Sequence, residues 1–510
     1  MTVEKICILL AIVLYLGMML YIGIRFAKRN NSADDFYLGG RKLGPYVTAM
    51  SAEASDMSSW LLMGLPGLAY LTGICDAAWT AIGLAVGTYL NWLIVAKRIR
   101  RYSVLTDSIT APEFFSKRFG DDRNILRGIA AIVIIIFFVP YTASGFAACG
   151  KLFGTLFGTE YMTAMIISAV VIVAYTAIGG FLAASTTDLI QSSVMSVALL
   201  IVLGYGISVA GGFDAVIANA QSLPGYLSMT NTFDVAAGAA KPYGLLTTVS
   251  ILAWGLGYFG MPHILLRFMA IEDEKKLTTS RRVATTWVVI SMAVAIFIGV
   301  VGLGMTAAGA VPTLEGAASE TIIVRIASLL SSHGALPALL AGVILAGILA
   351  ATMSTADSQL LAASSSVSKD LMRGLFGIQM TEKQTMIVAR VSLIAIAVVA
   401  IFLARDPNSS VFKIVSFAWA GFGAAFGPVV LFALFWRRAN KWGALAGMIS
   451  GGAMGFIWKF LVRPLGGAFD IYELLPAFLL NCAVLVIVSL LTAKPEQKVL
   501  DQFDAYQAIR

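Results

Sequence analysis

Histidine is nearly missing from this 510-residue chain: His263 and His333 are the only two, so histidine zinc sites and imidazole proton relays have little material to work with. Cysteine is also sparse. Cys7, Cys75, Cys149 and Cys482 lie scattered through apolar runs with neither paired nor ligand-like spacing, which indicates no disulfide framework and no metal cluster. Charge is the third shortage. Charged residues make up 13% against 59% hydrophobic ones, and mean hydropathy is +0.85, values that exclude a soluble globular domain and point to a polytopic membrane protein. No ordered nucleophile and base stand out either, which argues against a membrane enzyme. Fewer than twenty residues follow Thr492, so no appended kinase or nucleotide-binding domain is expected, and a membrane-embedded sensor enzyme drops out. The net charge of +8 would raise the question of nucleic acid in a soluble protein. Here it has a topological cause, and no nucleic-acid partner is expected.

What the chain has in abundance is apolar runs long enough to cross a bilayer. The first, Val3 to Ile24, is followed at once by Arg25, Lys28 and Arg29, whereas only Glu4 and Lys5 precede it. A secretory signal peptide has the opposite charge order and a small-residue cleavage site, so this run reads as a permanent helix with its N-terminus outside. Further spans are expected at about 45–70, 77–96, 126–150, 161–179, 189–210, 243–270, 283–311, 335–366, 386–404, 411–435, 443–462 and 472–492, thirteen in all. Lys and Arg concentrate in cytoplasmic loops. With this count, 28 of the 36 basic residues fall inside, among them the eight from Lys97 to Arg127, the five from Arg267 to Arg282, and Arg510 in a cytoplasmic tail. A wrong number of spans in the middle would spoil that asymmetry. The longest outer loops, Gly211 to Pro242 and Pro312 to Gly334, are polar enough to cover an outer face and have room for short helices.

Two of these spans carry interruptions. The second contains Ser51-Ala-Glu-Ala-Ser-Asp-Met-Ser-Ser-Trp60, with Glu53 and Asp56 inside an otherwise apolar run. An acid at the centre of a membrane helix costs roughly 2.5 to 3.5 kcal/mol and tends to serve an ion or substrate path. Ser and Asp also offer the backbone alternatives to helical bonding, so the helix is expected to open at Ser55 to Ser58. Five spans later and in the opposite direction, Trp254-Gly-Leu-Gly-Tyr-Phe-Gly-Met-Pro262 weakens the seventh span with three glycines and a proline. A matched pair of interrupted helices in two halves points to an inverted-repeat transporter. In the ninth span, Ala351, Ser354 and Thr355 stand at i, i+3 and i+4 on one helix face. Neutral oxygens of this kind suit a monovalent cation; that the hydroxyls bond only within their own helix stays open on this segment alone.

At these residues the chain resembles the sodium/solute symporter family, most closely its sodium/proline branch. The likeness is carried in order by Ser55-Asp-Met-Ser, Trp60-Leu-Leu-Met-Gly-Leu-Pro-Gly67, Tyr141-Thr-Ala-Ser-Gly145, Ile178-Gly-Gly-Phe-Leu-Ala183, Trp254 through His263, Met353-Ser-Thr355 and Trp419-Ala-Gly-Phe-Gly-Ala-Ala-Phe-Gly-Pro-Val-Val-Leu-Phe432. The resemblance implies an all-α LeuT-type fold of two inverted five-helix repeats, about 45–212 and 243–436. One extra span lies before them with its inner loop (1–44), two lie after (437–492), and a cytoplasmic tail covers 493–510. It implies sodium as the co-transported ion, with no organic cofactor, held by backbone oxygens of Ala54, Met57 and Ala351 and the hydroxyls of Ser354 and Thr355. Asp56 is then the sodium-linked carboxylate, supplying negative potential beside the ion. L-proline would lie near Ser58, Trp60, Gly64, Tyr141, Trp254, Tyr258 and Pro262. A small zwitterion calls for helix-end amides and aromatic faces, and Trp254 and Tyr258 are one turn apart. The implied activity is sodium-coupled L-proline uptake across the plasma (inner) membrane, with no obligate protein partner beyond the lipid bilayer. The alternative keeps the mechanism and changes the solute to a betaine-like osmolyte or pantothenate.

Two features depart from the family pattern. Glu53 stands where a small residue is expected. It is neutral, paired to a basic group such as Arg41, or a second cation or proton group, and the sequence does not choose. Asp188, Asp357 and Ser358 lie toward the cytoplasm in this topology and form either a second cation site or gate on the exit route or a structural polar network.

Overall fold

A computed structural model describes residues 2–27 and 32–509. Lys28, Arg29 and Arg510, which entered the charge asymmetry, lie outside the described residues. The chain is a helical bundle whose long apolar members pack side by side. Among the described residues, ten helices are long and apolar enough to cross a membrane. The bent pair Leu245–Gly260 and Pro262–Ala270, 47° apart, makes an eleventh when taken as one span.

The first part of the chain runs through α1 (Val3–Ala27), α2 (Ala33–Leu38), α3 (Pro45–Asp56), α4 (Leu65–Thr72), α5 (Ile74–Leu90) and α6 (Lys97–Leu105). Then come α7 (Ala111–Phe119), α8 (Ile125–Phe157), α9 (Tyr161–Val209) and α10 (Phe213–Ser222). Local sequence sets many of the boundaries. Pro45 begins α3 at a position where its missing N–H costs nothing, and Thr110 caps α7 by accepting from Glu113 N. The spans expected at 161–179 and 189–210 form one 49-residue helical run, interrupted only at Gly180. At 1.5 Å per residue that run measures about 70 Å, far beyond a ~30 Å hydrocarbon core. Gly180 adopts φ 67° and ψ −170°, a conformation open to glycine alone, and it turns the chain without a loop.

A hairpin follows, β1 (Asn231–Asp234) antiparallel to β2 (Ala239–Pro242), with Asn231 opposite Pro242. It corrects the all-α expectation. Neither strand has alternating apolar residues that would announce it; backbone pairing holds it, and Phe233 packs edge-on against Tyr226. The remaining elements are α11 (Leu245–Leu252), α12 (Pro262–Ala270), α13 (Leu277–Ala307), α14 (Ile322–Ser331), α15 (Ala335–Ser365), α16 (Glu382–Leu403), α17 (Val411–Phe435), α18 (Lys441–Ile457), α19 (Leu474–Leu491) and α20 (Gln497–Ala508). The two long loops hold short helices, as their length allowed: α10 in one, and a 3₁₀ turn at Gly316–Thr321 leading into α14 in the other.

Packing sets the stage for the site. α15 lies along α9, α1 and α8, and α3 is wedged among α9, α13 and α15. The 3₁₀ segment Ala253–Gly260 between α11 and α12 is held by α17 on one side and α5 on the other. The tail folds back as α20, burying Val499, Phe503 and Tyr506, with Tyr506 stacked on Tyr102 at 4.5 Å.

Candidate functional site: two opened helices and a hydroxyl face

α3 stops at Asp56. Met57 leaves helical geometry (φ −72°, ψ 70°), Ser58 N donates to Asp56 O at 2.7 Å, and the chain resumes as a π turn over Trp60–Gly64 before α4. This is the opening that Ser55, Asp56 and Ser58 led us to expect. Ser55 Oγ donates back to Ala52 O at 2.9 Å, and Ser58 Oγ accepts from Trp60 N at 3.3 Å, so side chains replace part of the interrupted ladder.

The hydroxyl face of α15 meets this opening. Ser354 Oγ, with one proton to share, lies 2.7 Å from Ala54 O and 3.1 Å from Ala351 O, and Thr355 Oγ1 reaches Ala54 O at 3.4 Å. Both readings of these hydroxyls are therefore present: Ser354 bonds within its own helix and also crosses to α3. Four of the five expected ion ligands, Ala54, Ala351, Ser354 and Thr355, share one buried cluster, with Met57 at the break beside it. Hydroxyls rotate freely, so two hydroxyl oxygens and two carbonyls can turn their lone pairs onto a cation that displaces these bonds. The set carries no formal charge, which suits a monovalent ion and falls short of what a calcium site gathers.

Asp56 reaches the second break. Tyr258 OH donates to Asp56 Oδ2 at 2.6 Å, while Oδ1 has no partner. The backbone carbonyl of Asp56 accepts from Trp60 Nε1 at 3.1 Å and Tyr141 OH at 3.2 Å. Around Trp254 the rings close in: Tyr472 stacks at 5.2 Å, Phe412 lies at 5.6 Å, and Trp60 and Trp419 both lie at 6.2 Å. Trp419 Nε1 donates to Trp254 O at 2.8 Å. A methyl on Gly64 would sit 3.1 Å from Phe412 Cβ, and Pro262 starts α12 directly after the non-helical Met261. Ser58, Trp60, Gly64, Tyr141, Trp254, Tyr258 and Pro262 are all buried around the two breaks. Phe412, Trp419 and Tyr472 were missed as members of this ring cluster. Trp419 belongs to the motif at 419–432, but nothing local marks Phe412 or Tyr472.

The acids beyond the breaks are tied to a residue that sequence reasoning counted only as a loop charge. Arg267, buried in α12, donates from Nε to Ser51 Oγ at 2.9 Å and from Nη2 to Ser358 Oγ at 2.5 Å, and pairs with Asp188 Oδ2 at 3.4 Å. Ser51 Oγ donates to the same Asp188 oxygen at 2.6 Å, and Ser358 Oγ to Asp357 Oδ1 at 3.1 Å. The available signal was a lone arginine inside the apolar run Ile264 to Ala270. Glu53 accepts at Oε1 from Trp92 Nε1 at 2.8 Å, and its Oε2 has no partner. Arg41 is engaged elsewhere, with Met269 O, Ser103 O and Ser108 O, so the Arg41 pairing considered for Glu53 does not form.

A family model described as Sodium:solute symporter family matches residues 36–451. The chain belongs to the sodium:solute symporter family. The likeness read from its motifs is thereby borne out, and the chain is a multi-pass helical transporter rather than an enzyme. It is 42% identical over 503 residues to a sodium/proline symporter of Haemophilus influenzae, covering 97% of each chain. It is likewise 42% identical over 491 residues to the high-affinity proline transporter PutP of Bacillus subtilis, covering 96% of this chain and 99% of that one. Among solved structures, a Na+-coupled sialic acid symporter in a substrate-bound outward-open state aligns with a TM-score of 0.78 over 98% of this chain and 99% of that one. At 19% identity, that likeness bears on the fold alone.

Proposed function

We propose that this family member takes up L-proline with sodium by alternating access across the plasma membrane. The observation that carries the reading is the contact between the Ala54 carbonyl, at the first break, and Ser354 and Thr355 on α15. It gathers neutral oxygens where a helix has opened, with the acid Asp56 alongside. Sodium would be held by Ala54, Met57, Ala351, Ser354 and Thr355, and the negative charge of Asp56, the residue before Met57, would act on it from alongside. Proline would lie between the breaks, its ring and ammonium against Trp60, Tyr141, Trp254 and Tyr258, its carboxylate near the amides of Ser58 to Gly64, and Pro262 flooring the second break. The naming of both proline-transporting relatives supports the choice of solute. Asp188, Asp357 and Ser358 would serve as a polar tie at the inner gate, because Arg267 already supplies the positive charge a second cation would bring.

In this reading the thirteen passes arise from the ten helices, the bent pair, α9 counted twice about Gly180, and α3 joined to α4. The N-terminus lies outside and the C-terminus inside. Two inverted repeats, about 45–212 and 243–436, rock around the site, with one span before and two after. One sodium crossing 100 mV releases roughly 2.3 kcal/mol, and at 1.4 kcal/mol per tenfold this sustains about fifty-fold accumulation. The test is uptake of labelled proline by proteoliposomes. Saturable uptake that requires an inward sodium gradient is expected, and uptake indifferent to sodium would overturn the reading. Competition by a betaine-like osmolyte or pantothenate that outruns unlabelled proline would move the solute assignment and leave the mechanism.

A further inference from the structure

α5 runs regularly from Ile74 to Leu90 and then opens into a π turn over Asn91–Ala96 before α6. Such turns give up hydrogen-bond geometry and recur at functional sites. This one carries two consecutive buried side chains, Asn91 and Trp92, whose donors go to different elements. Asn91 Nδ2 donates to the Tyr258 carbonyl at 3.0 Å, inside the second break. Trp92 Nε1 donates to Glu53 Oε1 at 2.8 Å, in the last turns of α3, and its ring stands edge-on to Phe268 of α12 at 4.5 Å. Consecutive helical positions face different directions, so a single turn serves both broken helices.

The two connections differ in stiffness. A methyl on Gly87 would fall 2.3 Å from Gly255 O, and one on Gly255 would fall 2.2 Å from Gly83 O. Backbone therefore lies on backbone, and α5 and the segment 253–260 form one packed body. α3 joins that body at the π turn through the Glu53–Trp92 hydrogen bond. Through Tyr258, the bonds close a ring: Glu53 to Trp92, Asn91 to the Tyr258 carbonyl, and the Tyr258 hydroxyl to Asp56 Oδ2, one turn along α3 from Glu53.

We propose that Asn91 and Trp92 are positioning residues that couple the two breaks, passing the ordering of α3 by a cation at Ala54 to Tyr258 in the second break, whose carbonyl Asn91 holds. The inference rests on the transport reading above. It gives Glu53 a task, as the acceptor that presents the last turns of α3 to the π turn. Glu53 immediately precedes Ala54, and its own carbonyl accepts from Met57 N at 2.7 Å, so the turn that a cation orders is the turn that carries Glu53. Coupling of this kind is reciprocal: the factor by which sodium tightens proline is the factor by which proline tightens sodium.

The experiment is equilibrium binding of labelled proline to the purified full chain in lipid nanodiscs, at a series of sodium concentrations. If the wild-type chain binds proline without regard to sodium, the transport reading fails and the coupling question falls with it. If the wild type binds in a sodium-dependent way, Trp92→Phe keeps an aromatic ring beside Phe268 and removes the donor, along with part of the indole's volume. It is expected to cut the sodium-induced gain in proline affinity about tenfold, the scale of one buried hydrogen bond, as is Asn91→Ala. Glu53→Gln, which keeps an acceptor oxygen, should retain the gain, and Glu53→Leu should lose it. Trp92→Phe added to Glu53→Leu should cost nothing further. A merely structural role would lower the number of binding-competent molecules and leave the ratio of affinities unchanged. An unchanged ratio in Trp92→Phe, or full additivity with Glu53→Leu, would overturn the proposal.

Discussion

The two helix breaks do opposite things with similar openings. The first, at Ser55 to Ser58, contains no glycine: the Ser55 and Ser58 side chains take over hydrogen bonds from the backbone, and the freed carbonyl of Ala54 meets hydroxyls from α15. The second, Ala253 to Met261, opens through glycine and tightens into a 3₁₀ segment. There the glycines permit contact rather than freedom. Gly255 lies on Gly83 and Gly87 of α5, and Gly257 lies against Trp419. A polar break thus exposes oxygen, as the proposed ion site requires, whereas a glycine break brings aromatic rings and neighbouring backbone close together, as the proposed solute site requires.

Breaking the comparison is easiest at the glycines. A methyl on Gly257 would stand 2.0 Å from Trp419 Nε1, so Gly257→Ala should lose most folded transporter, read as detergent-stable protein by size-exclusion chromatography. Ser55→Ala at the first break should keep the fold, because it removes one local hydrogen bond, to Ala52 O, and adds no atom that must find space. Equal losses at the two positions would erase the distinction. Next in size is Tyr258→Phe, which strips Asp56 Oδ2 of its donor across the two breaks. A hydrogen bond to a charged group is worth about 1.5–3 kcal/mol, so sodium and proline affinities should both fall on the order of ten- to hundredfold in binding assays. A loss confined to one ligand would show the breaks to be independent. The smallest effects belong to the hydroxyl face: Ser354→Ala, which loses a 2.7 Å contact, should raise the sodium needed for half-maximal uptake roughly tenfold. Thr355→Ala, with its 3.4 Å contact, should raise it less. Sodium dependence unchanged in both folded variants would remove the ion site from this face.

Much of this arrangement is legible in the sequence. Both breaks fall where Asp56 and Ser58 and the Gly255, Gly257, Gly260 series placed them, because local propensity acts within one helix turn. The Ser354 and Thr355 face followed from helical spacing alone. The hairpin at 231–242 was not legible, since its strands lack alternation and rely on backbone pairing. The division of α9 into two spans is legible from hydropathy, but that the two join without a loop is not, since a single glycine dihedral at Gly180 decides it.

Glu53 draws the line most clearly. The sequence by itself determined that a carboxylate stands in an apolar span one turn before Asp56, that the chain is a membrane transporter, and which residues open its helices. Only the tertiary structure decided that Glu53 answers Trp92 and that Arg267 balances Asp188. It also decided that Phe412, Trp419 and Tyr472 close around Trp254. Periodicity and propensity are properties of neighbours along the chain. The partner of a buried polar group is chosen by packing between helices, and the contact between Ala54 and Ser354 spans 300 residues that no local pattern connects.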